Sequence, residues 1–108
     1  MASLLVRIGE LVSTGRFRVS AHGFEELASD DISLAELVEG MPSAVPVEEY
    51  PDYHKGPCIL VLLRQGDGSA VHALRGVAMN APDIATLITA YRPDPARWTE
   101  DFVRRKPK

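Results

Sequence analysis

From Val19 to His54 the sequence contains no lysine and no arginine, although carboxylates crowd the stretch from Glu25 to Asp52. Acidic residues repel a phosphate backbone, so an anion-binding surface has to be drawn from elsewhere in the chain. The counterweight lies after the last strand: Arg92, Arg97, Arg104, Arg105, Lys106 and Lys108 outnumber Asp94, Glu100 and Asp101. A formal net charge of −3 thus hides an acidic first half and a basic tail. The segregation reads either as two solvated surfaces, or as one face for a basic partner and another for phosphate or a second anion. Cysteine is nearly absent. Cys58 alone cannot form an internal disulfide, and within PCILVLL a thiol behaves as a small hydrophobe. No apolar run approaches the roughly 18 residues of a membrane span. MASLLVRIGEL is broken by Arg7 and Glu10 too early for a signal-peptide core. These absences predict no membrane partner and a cytoplasmic location.

What is present suffices for one core. The 108 residues, 45% hydrophobic and 25% charged, make a single globular domain over 1–108, with no internal repeat or linker. Leu4, Leu5, Ile8, Leu11 and Val12 follow helical spacing, with Gly15 placed to terminate the helix. RFRV reads as a short extended link. Ser20 caps a second helix whose Phe24, Leu27 and Ala28 share a face. Ser33 and Glu36 form a capping box for a third, with Ile32 and Leu37 as its staple and Gly40 as its end. From Val45 the pattern turns to strands: VPVEEY, CILVLL, AVHALRGVAM and IATLITAY, separated by QGDGS, NAPD and similar turns. Such short connections force antiparallel neighbours. The predicted fold is α+β: N-terminal helices packed on a four-stranded antiparallel sheet, followed by a short C-terminal helical segment.

The strings SAHGFEELASDDIS, YPDYHKGPCILVLL, AVHAL and ITAYRPDPARWTEDFVRRK resemble the domain-of-unknown-function family 4258 along nearly the whole chain. The most specific parts are the last block and the surroundings of His22 and His72. That family is similar to the RelE-like and BrnT-like small toxin ribonucleases. The resemblance implies a metal-independent RNA endonuclease of a toxin–antitoxin pair, with RNA and a cognate antitoxin as partners and no cofactor. Many relatives carry arginines in the second helix, in a pattern close to His-Ala-x-x-Arg-x-x-x-Arg-Gly-Ile. Gly23, Glu26 and Asp30 or Asp31 stand there in this chain. These substitutions favour the alternative, a non-catalytic protein-interaction module on the same fold.

RelE-type cleavage requires a base for the ribose 2′-hydroxyl, an acid for the leaving oxygen, and cations around the phosphorus. On the resemblance, His22, His72 and Tyr91 are the catalytic candidates, and Arg75, Arg92 and Arg104 the substrate ligands. No spacing marks a metal site, so none is assigned. Each candidate also has a structural reading. His22 pairs with Glu25 or Glu26 on a helix surface, His72 is a hydrogen-bonded sheet residue, and Trp98 with Phe102 plugs the sheet edge. Strict alternation puts Leu87, Thr89 and Tyr91 on one face of the last strand, and Thr86, Ile88, Ala90 and Arg92 on the other.

Overall fold

The Ser3 hydroxyl accepts the Val6 amide at 3.1 Å and opens α1, Leu4–Ser13, in the computed structural model, which describes residues 3–107. The helix buries Ile8, Leu11 and Val12 and stops where the sequence predicts. Gly15 takes a left-handed φ of 78°, its amide reaches the Val12 carbonyl at 3.1 Å, and the Arg16 amide reaches that of Leu11 at 2.8 Å. This paired closure favours a residue without a Cβ.

RFRV is more than a link. Phe17–Val19 form β1, which runs parallel to the last strand with Phe17 opposite Ala85 and Val19 opposite Leu87. The chain continues through α2 (Ala21–Ser29), α3 (Leu34–Glu39), a 3-10 turn at Met41–Ser43, and the strands β2 (Val45–Tyr50), β3 (Cys58–Arg64), β4 (Ala70–Val77) and β5 (Ala85–Tyr91). The α+β class stands, but the sheet has five strands and is mixed, in the order β1-β5-β4-β3-β2. Short turns make β2 to β5 antiparallel, whereas the long path from β1 through α2, α3 and three strands allows a parallel return.

Tertiary contact overrides the local apolar stripe in α2. Gly23 and Leu27 are buried, while Phe24 is 57% exposed. A Cβ on Gly23 would lie 3.0 Å from the Leu87 carbonyl and 3.1 Å from Val19 Cγ1, so the helix meets β5 along its smallest residue. Ser20 sets this approach. Its hydroxyl accepts the Gly23 amide at 2.9 Å and donates to the Ile88 carbonyl at 2.8 Å, and its own amide donates to Leu87 at 3.0 Å. In α3 only half of the expected capping box forms. Ser33 accepts the Glu36 amide at 3.3 Å, but the Glu36 carboxylate accepts from Gln65 Nε2 at 2.9 Å and the Gly66 amide at 3.0 Å, tying the helix to the β3–β4 turn.

The helices cover one face of the sheet, where Val61, Val71, Ala73 and Leu87 pack with Ile8, Leu27 and Leu37. The residues after β5 lie on the other face, and they are not helical. The Lys106 amide bonds the Arg97 carbonyl at 2.8 Å, the Thr99 amide bonds that of Arg104 at 2.9 Å, and Phe102 at the tip has φ 60°. The two arms satisfy each other's backbone groups as a hairpin, and Pro93 and Pro95, which have no amide to donate, disfavour a helix leading into it. Among the described residues no helix is long and apolar enough to cross a membrane.

Candidate functional site

A bulge decides what the open face presents. Leu74 pairs with Thr89 but Arg75 pairs with Leu87, so Ile88 is an extra residue in β5. Strict alternation therefore fails there. Leu87 and Ala90 both join the core under the helices, and Ile88, Thr89 and Tyr91 line the opposite side.

On that side the sheet carries a trough made of two adjoining hollows of about 310 and 250 Å³, which share Tyr53 and Ile88. Leu60, Leu74 and the buried Cys58 help form its apolar floor. All three tyrosines of the chain, Tyr50, Tyr53 and Tyr91, line the first hollow with Arg105, while Arg18 and Lys55 line the second. No Asp or Glu lines either hollow among the described residues. A neighbouring recess of about 450 Å³ shares Tyr91 and Arg105 and adds Arg92, Arg97 and Trp98, with Asp94 as its one carboxylate. In an acidic protein, aromatic rings and cations converge here.

His72 lies behind this surface, fully buried on β4. Its Nε2 is 2.7 Å from the Phe102 carbonyl, which can only accept, so Nε2 carries the proton and Nδ1 accepts the Tyr91 hydroxyl at 3.1 Å. The Trp98 ring packs edge-on at 4.4 Å between centroids. Burial pushes the Tyr91 phenol up and the His72 imidazole down. The ordinary gap between phenol and imidazole, about 3.5 units, already opposes proton transfer from Tyr91 to His72 by roughly 5 kcal/mol. Both shifts widen it, so the pair stays neutral and fixes the hairpin to the sheet.

The same burial predicts a pH dependence of stability. Above about pH 6.5, the ordinary histidine value, His72 is neutral in both states. As pH falls below it, the unfolded chain takes up a proton that the folded protein resists, so stability declines toward the lowered folded value. Urea midpoints measured from about pH 7 to 5.5 should fall for the wild type and flatten in His72→Gln, which retains a donor and an acceptor. Equal slopes for the two proteins would show that His72 carries no such linkage.

The other predicted site residues are dispersed. His22 is exposed on α2, on the helix-covered side of the sheet, with Nε2 3.5 Å from Glu26 Oε1; it does not meet His72. Arg75 is enclosed beneath α3 with no exposed surface, because alternation along β4 puts it on the core face with Val71, Ala73 and Val77, and there it offers nothing to a substrate. Its Nη2 donates to the Leu37 carbonyl at 3.4 Å. Arg92 is engaged internally: Nε donates to the Asp30 carbonyl at 3.0 Å, Nη2 to that of Asp31 at 3.1 Å and Nη1 to Ser69 Oγ at 3.1 Å, and the Asp30 carboxylate accepts its amide. Arg104 is exposed on the hairpin beside Glu100 and Asp101, away from the trough. Tyr91 alone of the catalytic candidates reaches the trough. No group of three or more His, Cys, Asp or Glu suited to a metal ion occurs among the described residues.

Sequence reasoning passed over Tyr50, Tyr53, Lys55 and Arg18 as site residues. The signal for the first three was the turn YPDYHKGP, where two tyrosines and a lysine crowd a loop that opens beside the longest apolar strand. No curated protein and no solved structure matches the chain. The model of a domain of unknown function, DUF4258, matches residues 19–92, a span from β1 to the first residue after β5, and the chain belongs to that family.

Proposed function

We propose that the protein is a toxin-type domain of the RelE-like, BrnT-like kind whose open-face trough holds single-stranded RNA, binding it rather than cutting it. One observation carries the reading: three tyrosines and three cations line one trough in which no carboxylate occurs among the described residues. Stacking platforms interleaved with cations suit single strands, because every base has a π-face and every linkage a phosphate. Cleavage fits the geometry less well. His22 and His72 lie on opposite sides of the sheet, and Tyr91 remains protonated against His72, so none of these three supplies the trough with a base at neutral pH.

The test is fluorescence polarisation with a labelled RNA oligonucleotide at low salt, in chelator, followed by electrophoresis of the same samples. The expected outcome is salt-sensitive binding, intact RNA, and about 5- to 150-fold weaker binding for Tyr53→Ala, the range for one lost stacking contact. Absence of binding, or an unaffected Tyr53→Ala, would exclude the trough as an RNA site. Cleavage abolished by Tyr91→Phe would restore the endonuclease reading. The protein-interaction reading, with a cognate antitoxin as partner, is favoured by Phe24, which stands exposed on α2 beside Glu25.

A further inference from the structure

Glu48 sits just outside the trough on β2 and uses both of its oxygens on residues that line it. The Tyr50 hydroxyl donates to Oε2 at 2.7 Å, and Arg105 Nε donates to Oε1 at 2.8 Å. Tyr50 and Arg105 belong to distant parts of the chain, the second at the C-terminal hairpin beyond the family span. The carboxylate between them bridges the two at the rim. The Arg105 side chain is 64% exposed, but its guanidinium carbon also lies 4.9 Å from the Trp98 ring centroid, so the group has a second contact besides Glu48.

We propose that Glu48 is a positioning residue for the trough, presetting Arg105 for a phosphate and Tyr50 for a base. The inference rests on the RNA-binding reading above. Arg105 spends one donor, Nε, on Glu48, and the residue lines both the trough and the basic recess. Tyr50 is 36% exposed, so its ring has a free side. The bridge leaves its marks on the groups themselves. The Tyr50 hydrogen bond and the Arg105 guanidinium hold the Glu48 carboxyl below its usual range, while burial and the Glu48 bond push the Tyr50 phenol up to about 12.

Positioning and simple charge predict effects of opposite sign. Removing a carboxylate beside an RNA site relieves repulsion and should strengthen binding, whereas removing a clamp makes two long side chains disordered and weakens it. Glu48→Gln is therefore compared with Glu49→Gln, which deletes the same charge from the next residue on β2, in oligonucleotide titrations over a range of salt. The expected result is about three- to tenfold weaker binding for Glu48→Gln alone, corresponding to the re-ordering of a mobile side chain. Its salt dependence should also shrink by about 0.7 in log–log slope, the loss of one single-strand phosphate contact. In the free protein, the Arg105 Nε–H resonance should exchange with water faster than in the wild type. Thermal melts accompany both variants, and a Glu48→Gln protein that fails to fold is replaced by Arg105→Gln, for which the same loss of affinity and slope is expected. Equal or tighter binding by Glu48→Gln overturns the inference while leaving the trough standing. No binding by the wild type overturns both.

Discussion

Replacing Trp98 by alanine should lower the stability of the fold by about 3 to 5 kcal/mol, the range for loss of a large buried aromatic. The indole is only 5% exposed although it lies in an irregular segment after two prolines. One edge packs against His72 and the ring meets the Arg105 guanidinium, so truncation removes apolar contact and also opens His72 to water. Water at His72 competes for the bond to the Phe102 carbonyl that holds the hairpin tip. The measurement is a urea denaturation midpoint, with tryptophan emission of the wild type as a check on burial. An unchanged midpoint, or emission characteristic of a solvated indole, would show that the hairpin is not seated on the sheet. Trp98→Phe should lose less, because a smaller ring still covers His72.

The second large effect has the opposite sign. Arg75→Met should stabilise the protein by about 1 to 4 kcal/mol, as replacement of a poorly compensated buried ion by a well-packed apolar side chain often does. Arg75 has no exposed surface, its Nε and Nη1 have no partner among the described residues, and its one bond, to Leu37, is long at 3.4 Å. Burial pushes the guanidinium down to about 10, which still leaves it charged at neutral pH. Desolvation of that charge therefore opposes folding, and the attraction of the carbonyl at the C-terminal end of α3 offsets only part of it. Methionine has a comparable reach and a flexible stem, so it avoids the cavity that alanine would leave. A midpoint lowered by more than about 1 kcal/mol would show that the bond to α3 outweighs desolvation, within the spread of buried-charge effects.

How much of this was legible differed by element. Helix ends were readable where one residue type is enough, as at Gly15, Ser20 and Ser33, because capping is local chemistry. β1 was not readable: three residues have no usable period, and their partner Ala85 is remote in sequence. The face of Ala90 could not be reached by counting in twos, since the bulge at Ile88 leaves no local signature in a run such as TLITAY, whereas Arg75 keeps step with Val71, Ala73 and Val77 along β4. The orientation of α2 was decided by the contact of Gly23 with β5, not by the apolar pattern that favoured Phe24. At the candidate site, histidine chemistry attracted notice because imidazole titrates near neutrality, yet His72 is a packed structural group. The tyrosines were less conspicuous individually. Their convergence depends on β2, the following loop and β5 meeting in space, which no spacing records.

The parallel seam between β1 and β5 also sets a schedule for the growing chain on the ribosome. Arg18 and its partner Thr86 lie 68 positions apart. At about 5 to 20 residues per second, translation leaves β1 without its sheet partner for roughly 3 to 14 seconds. During that interval α1 and α2 can form their own backbone bonds, but Gly23 and Ser20 have no β5 to dock on. The meander of β2, β3 and β4 can assemble first from near neighbours, and β5 then closes the sheet on both of its edges at once. Synthesis stalled before Ala85 would leave the acidic helices tethered to an incomplete sheet, a species open to proteolysis until the last strand arrives.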